Sequence, residues 1–137
     1  MERTLAIVKP DAFAAGFAGR ILARIYEEGF QVVGIKKLHL SEEQAGGFYF
    51  VHKDRPFFDD LKGFMSSGPC IAMVLEAGGA IRKWRDLMGA TNPADAAAGS
   101  LRKEFGTSLG RNALHGSDAP DSAVFEVSYF FSGMELL

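Results

Sequence analysis

Leu5-Ala6-Ile7-Val8-Lys9-Pro10-Asp11 is the stretch that decides how the fold is read. Four consecutive apolar residues form a short strand buried on both faces, and a strand of that kind belongs in the middle of a sheet. Lys9-Pro10-Asp11 stops it, because proline has no N–H to give to a ladder. Outward from this strand, Ile21, Leu22 and Ile25 recur at helical spacing within 20–28, and Gly29 supplies the stop. Val32-Val33, Ile35 and Leu38 make 30–40 a second strand. Ser41-Glu42-Glu43-Gln44 is a capping box that starts a helix, although Gly46-Gly47 inside it costs about 1 kcal/mol per glycine relative to alanine and predicts a less rigid segment. Pro56 opens a further short helix with Phe57, Phe58, Leu61, Phe64 and Met65 on its apolar side, and Ser67-Gly68-Pro69 ends it. A third strand over 70–75, a helix over 80–88 and a long loop over 89–99 follow. Phe125, Val127, Tyr129 and Phe131 alternate, so 123–131 reads as the last strand.

The order strand-helix-strand, helix pair, strand-helix-strand is the βαββαβ arrangement. It predicts an α+β, ferredoxin-like fold, in which helices cover one face of a four-stranded antiparallel sheet. The 137 residues fit a single domain spanning 1–137, and 47% hydrophobic residues suffice for a core. A net charge of -2 with no basic stripe argues against nucleic acid as the main partner. The only cysteine, Cys70, sits in an apolar strand and reads as a buried, inert thiol. With no internal disulfide possible, no apolar leader after Met1-Glu2-Arg3-Thr4 and no run long enough to span a membrane, the expected location is the cytoplasm.

Asn112-Ala113-Leu114-His115-Gly116-Ser117-Asp118 carries the chemistry. A histidine sits among an amide, a hydroxyl and a carboxylate, and such groups do not gather in an apolar core without partners. Neutral imidazole is a competent nucleophile, and its ordinary pKa of about 6.5 lets small environmental shifts decide its state. Gly116 leaves room where a bulky anion would approach. Arg85, Thr91, Arg102 and Asn112 are donors of the kind that hold phosphate, the arginine fork giving two parallel hydrogen bonds. His39, beside Lys37, reads as exposed, and His52 as the end of a helix; neither has catalytic surroundings.

With these residues in place, the chain closely resembles the nucleoside diphosphate kinases over nearly its whole length. The resemblance is carried by Lys9-Pro10-Asp11, Phe48-Tyr49, Asp54-Arg55-Pro56-Phe57-Phe58, Ser67-Gly68-Pro69, 89–95, Arg102 and above all 112–118. It implies transfer of the γ-phosphate of a nucleoside triphosphate, mainly ATP, to nucleoside diphosphates by a ping-pong route through a phosphohistidine, which maintains nucleotide pools. It makes His115 the nucleophile through its δ nitrogen, oriented by Glu126 on the last strand together with Ser117. Read without the family, Glu126 is a solvent-facing strand residue. The resemblance also places Lys9 and Asn112 at the sugar hydroxyl and nearby phosphate oxygens, and Tyr49 beside the transferred phosphate. Arg85, Thr91 and Arg102 would hold the terminal phosphates, with Phe57 and Leu109 on opposite sides of the base. Stacking without edge contacts tolerates any base.

Mg²⁺ is expected to arrive with the nucleotide, held mainly by its phosphates and not by a protein cage, with Asp118 either the nearest carboxylate or a cap for the turn. The short bacterial members of the family imply a homo-oligomer, a tetramer or hexamer, and the apolar Leu136-Leu137 end is consistent with an interface. Departures from the usual pattern are Ser100-Leu101, Glu104 and Trp84, the last placed to tilt Arg85 or to serve a subunit contact. The rival reading, a non-catalytic nucleotide-binding regulator of the same fold, would call for loss of the histidine or of Lys9, and both are present.

Overall fold

The computed structural model describes residues 1–137. Strand β1 (Glu2–Val8) leads through helices α1 (Pro10–Ala14) and α2 (Ala18–Glu27) to β2 (Gln31–Leu38). Helices α3 (Glu42–Phe48) and α4 (Phe58–Met65) precede β3 (Cys70–Ala77). Then come α5 (Ala80–Met88), α6 (Leu101–Phe105), β4 (Leu114–Gly116) and α7 (Pro120–Phe130). The four strands form one antiparallel sheet in the order β2-β3-β1-β4, the order of the ferredoxin-like folds. β1 is central, as its apolar run predicts: Ile7 lies between Ala72 of β3 and His115 of β4.

Helices cover both faces of the sheet, not one. Ala6, Val8, Met73 and Leu75 pack with Ile21 and Ile25 of α2 and with Trp84 and Met88 of α5. Leu5, Ile7, Ala72 and Val74 pack on the other side with Phe48, Tyr49, Phe64, Met65 and Phe131. Strand side chains alternate between faces, so an unbroken apolar run at the centre demands two apolar layers. Single-face cover would have left half of that run in water.

The last strand is also elsewhere. Residues 120–130 are α7, opened by Pro120 in its first turn and by the Ser122 hydroxyl, which accepts from the Ala119 N–H at 3.0 Å. Its buried or half-buried positions Ala123, Glu126, Val127 and Phe130 are spaced by three and four, a helical stripe, whereas Phe125 and Tyr129 are exposed. The fourth strand is the three-residue Leu114–Gly116, inside the polar stretch 112–118 that carries the candidate histidine. The capping box on α3 is present, with Ser41 and Gln44 exchanging bonds at 2.9 and 3.1 Å. Gly47 there has a packing reason: an added Cβ would lie 2.5 Å from the Tyr129 hydroxyl, which donates to the Gln44 carbonyl at 2.7 Å. The glycine admits α7 against α3, so its role is close approach.

Leu136 packs on the second core layer and the Leu137 N–H bonds the Val33 carbonyl at 2.8 Å, so only the side chain of Leu137 is free. No helix is long and apolar enough to cross a membrane.

Candidate active site

His115 lies on β4, opposite Ile7, and strand alternation turns Leu114 into one core layer and the imidazole toward the other. The ring meets Phe48 edge-on at 5.1 Å between centroids and Tyr49 at 5.9 Å. Its Nε2 bonds Glu126 Oε1 at 2.7 Å. Glu126 therefore reaches the histidine from the inner face of a helix, not from a strand. The same carboxylate oxygen accepts from the Ser117 hydroxyl at 2.9 Å, and that hydroxyl accepts from the Leu5 N–H at 3.1 Å. Backbone of the central strand thus holds Ser117, Ser117 holds Glu126, and Glu126 holds His115.

This chain of contacts fixes the tautomer. A carboxylate can only accept, so a neutral imidazole bonded to it carries its proton on Nε2 and leaves a lone pair on Nδ1. Burial lowers the His115 pKa below the ordinary histidine value, against the opposing pull of Glu126, and the positive charges of Lys9 and Arg102 lower it further. The ring is neutral at neutral pH, the state a nucleophile requires.

A second set of contacts runs behind it. Lys9 Nζ donates to Asn112 Oδ1 at 3.0 Å, and Asn112 Nδ2 donates to the Thr91 carbonyl at 3.1 Å. Burial, then the neighbouring Arg102 charge, pulls the Lys9 ammonium down to about 8, with Asp11 opposing. Arg102 is buried and bonds the carbonyls of Gly89, Asn112 and Leu114 at 3.1, 3.3 and 2.9 Å. Desolvation and the nearby Arg85 lower its pKa to about 10, still fully charged at neutral pH. Three of its five N–H groups are committed to backbone, which leaves two for a ligand.

Two clefts share Thr91. A polar one of about 390 Å³ is lined by Arg82, Arg85, Thr91 and Arg102. A larger one of about 730 Å³ is lined by Lys9, Phe57, Leu61, Phe64, Leu109 and Arg111. Phe57 and Leu109 are exposed at its lips. The residues proposed from sequence thus fall into two groups, the His115–Glu126–Ser117–Tyr49 cluster and the walls of the clefts, with Asn112 bonded to Lys9 and Thr91 of those walls.

Several participants were not foreseen. Ala113 has φ +74°, rare for a residue with a side chain, and its N–H is held by Asp11 Oδ2 at 3.0 Å while its carbonyl accepts from the Lys9 N–H at 2.8 Å. The strained turn sets Asn112 and His115 at their angles. Arg111 stacks on Phe64 at 4.0 Å. Trp84 touches no solvent, so it serves no subunit contact; its Nε1–H donates to the His115 carbonyl at 3.1 Å. Gly116 also has a different purpose from the one its place after histidine suggests. An added Cβ would lie 2.6 Å from both Trp84 Cδ1 and Met88 Cε, so the missing side chain makes room for the tryptophan and not for an anion. Asp118 caps the turn, accepting from the Ser122 hydroxyl at 2.6 Å, and that bond is the main reason its carboxyl sits below the ordinary value. His39 is exposed, and Cys70 is buried with its thiol pushed up to about 11 by desolvation, as expected for an inert side chain.

Comparison with known proteins agrees with the geometry. The family model described as nucleoside diphosphate kinase matches residues 2–136. The chain is 82% identical to a nucleoside diphosphate kinase of Syntrophotalea carbinolica and 70% identical to one of Desulfotalea psychrophila, each over the full length of both chains. A crystal structure of the Aquifex aeolicus nucleoside diphosphate kinase superposes with a TM-score of 0.98 at 49% identity, covering 99% of each chain. A halophilic nucleoside diphosphate kinase from Halobacterium salinarum, solved in complex with CDP, superposes at 0.95 with 44% identity, covering 99% of this chain and 91% of that one. The chain belongs to the nucleoside diphosphate kinase family.

Proposed function

We propose that the whole chain acts as one kinase domain and that His115 Nδ1 carries the phosphate in its reaction. The observation that supports this most is the bond from Nε2 to Glu126, which leaves Nδ1 unprotonated in a buried, neutral ring. In the first half-reaction the Nδ1 lone pair forms a bond to the γ-phosphorus of a nucleoside triphosphate, mainly ATP. The bond from that phosphorus to the bridging oxygen breaks, and the nucleoside diphosphate leaves. The ring, now phosphorylated on Nδ1 and protonated on Nε2, is cationic, and Glu126 stabilises it. In the second half a terminal oxygen of another nucleoside diphosphate forms a bond to the same phosphorus, the Nδ1–P bond breaks with its electron pair returning to Nδ1, and the ring is again neutral.

The remaining residues position the substrate and neutralise its charge, which is most of what phosphoryl transfer asks of a protein. Arg85, Thr91 and the two free N–H groups of Arg102 take the terminal phosphates. Lys9 and Asn112, already bonded to each other, take the sugar hydroxyl and adjacent phosphate oxygens. The buried Tyr49 hydroxyl has no partner within the protein and lies on the His115 side, where it donates to the transferred group. Burial and the Glu126 charge raise its pKa, so it stays a neutral donor. Phe57 and Leu109 flank the base.

Mg²⁺ fits this donor set as a passenger on the nucleotide. The cleft walls are mainly basic, Asp86 and Asp60 being the carboxylates that line them, and Asp118 already has one oxygen taken by Ser122, so phosphates and waters would supply most of the ligands. The ion supplies charge neutralisation on the phosphate oxygens. We also read the chain as a cytoplasmic homo-oligomer, tetramer or hexamer. The exposed Val51, Val124 and Phe125 support association.

Incubation with γ-labelled ATP and Mg²⁺, without acceptor, tests the reading. The expected product is acid-labile, alkali-stable label on the protein that is chased off by GDP, and that is absent from a His115→Ala variant still able to bind ADP. Label that survives in His115→Ala would overturn it.

A further inference from the structure

The two peptide groups that flank the His115 Cα are each held by a buried side chain. The preceding carbonyl, that of Leu114, accepts from Arg102 Nη2 at 2.9 Å. The following carbonyl, that of His115 itself, accepts from Trp84 Nε1 at 3.1 Å. Two fixed peptide planes fix the Cα–Cβ direction between them, and so the point from which the imidazole starts. Glu126 then sets the rotation of the ring from its far end.

Trp84 is itself immobile. It is fully buried, and Phe30 meets its ring edge-on at 6.2 Å and 87°. The bare α-carbon of Gly116 lies directly against the indole, so ring and strand are in contact as well as bonded. Trp84 also neighbours Arg85 on α5, the helix that lines the polar cleft. One helix thus presents a phosphate-binding arginine outward and a donor to the nucleophile's backbone inward.

We propose that Trp84 is a positioning residue for phosphoryl transfer: through its indole N–H it fixes the backbone of the nucleophile and ties it to the phosphate-binding helix α5. A misplacement of even an ångström between nucleophile and phosphorus is costly in rate. The inference rests on His115 being the phosphate carrier.

The decisive substitution keeps the shape and removes the donor. Replacing Trp84 with benzothienylalanine exchanges the indole N–H for sulfur at nearly constant volume. The expected result in single-turnover labelling with γ-labelled ATP is phosphorylation slowed about tenfold, with nucleotide KM within about twofold and Tm within a few degrees. A packing role alone leaves the rate of the isostere unchanged, and an unchanged rate overturns the proposal. Wild-type protein that takes no label overturns the phosphohistidine reading first, and this inference with it. Should the isostere fail to fold, the wild-type protein decides. Trp84 is the only tryptophan, so its indole N–H gives one signal in a ¹⁵N-correlated NMR spectrum. That signal shifts when His115 is phosphorylated if the bond couples the two; an unmoved signal overturns the proposal.

Discussion

The His115 cluster, at one end of the proposed site, and the apolar lip of the larger cleft, at the other, are built by opposite rules. At the His115 end each group is held by another: Leu5 N–H to Ser117, Ser117 to Glu126, Glu126 to the imidazole, with Arg102 and Trp84 on the backbone behind. At the other end Phe57 and Leu109 stand exposed, with relative accessibilities of 48% and 61%, and offer surface but no directed polar contact. Precision is needed only at one of them. A phosphorus atom must meet one lone pair along one line, so the chemical end is rigid and polar. A base that can be any of the common ones needs only a flat apolar clamp, and hydrogen bonds to its edge would discriminate.

That contrast can be broken by substitution. The largest effect is expected from Glu126→Gln. The amide can donate to Nε2, which moves the ring proton to Nδ1 and blocks the lone pair; kcat should fall by about 10²-fold or more with little change in nucleotide binding. Retained activity would separate the tautomer from the chemistry. Next, Arg102→Ala should lower both activity and Tm, since two buried carbonyls and one half-buried one lose their donor at a cost of about 2 kcal/mol or more. Arg85→Ala, on the exposed rim, should lower activity and leave thermal unfolding unchanged. Equal Tm losses would mean that the two arginines share one role.

The pH profile sharpens the rigid end. His115 must be neutral, and burial puts its pKa below the ordinary value, so kcat/KM should rise with pH along an acid limb whose midpoint lies below the ordinary histidine value of about 6.5. Lys9 must be charged, so kcat/KM should fall as pH rises through about 8, and Lys9→Arg should remove that alkaline limb. The smallest effect belongs to the clamp. Phe57→Leu should raise KM by about tenfold for every nucleotide alike, with kcat held, because a stack is worth about 1–3 kcal/mol and half of it remains in Leu109. A base-selective change would show edge recognition that the cleft walls do not suggest.

Much of this was legible in the residues. The apolar run at 5–8 announces the central strand, Ser41 to Gln44 the cap of α3, and the heptapeptide at 112–118 the histidine on which the proposed site is built. The rest failed for identifiable physical reasons. β4 has three residues, too few for any periodicity, and it hides inside a polar motif. In α7 the exposed Phe125 and Tyr129 interleave with the buried positions and imitate the alternation of a strand. Glu126 is therefore the instructive residue, since its partner was named correctly on the wrong element. The roles of Trp84 and Gly116 arise from one contact between residues far apart in the chain, which no local pattern records.

In the proposed reaction Nδ1, freed by the Glu126 bond, carries the phosphate. Phosphorylating ¹⁵N-histidine protein with ATP and recording ¹⁵N and ³¹P NMR under alkaline, folded conditions tests it directly. One phosphohistidine is expected, substituted at Nδ1, with Nε2 still protonated. Phosphate on Nε2, or on any residue other than His115, would contradict it.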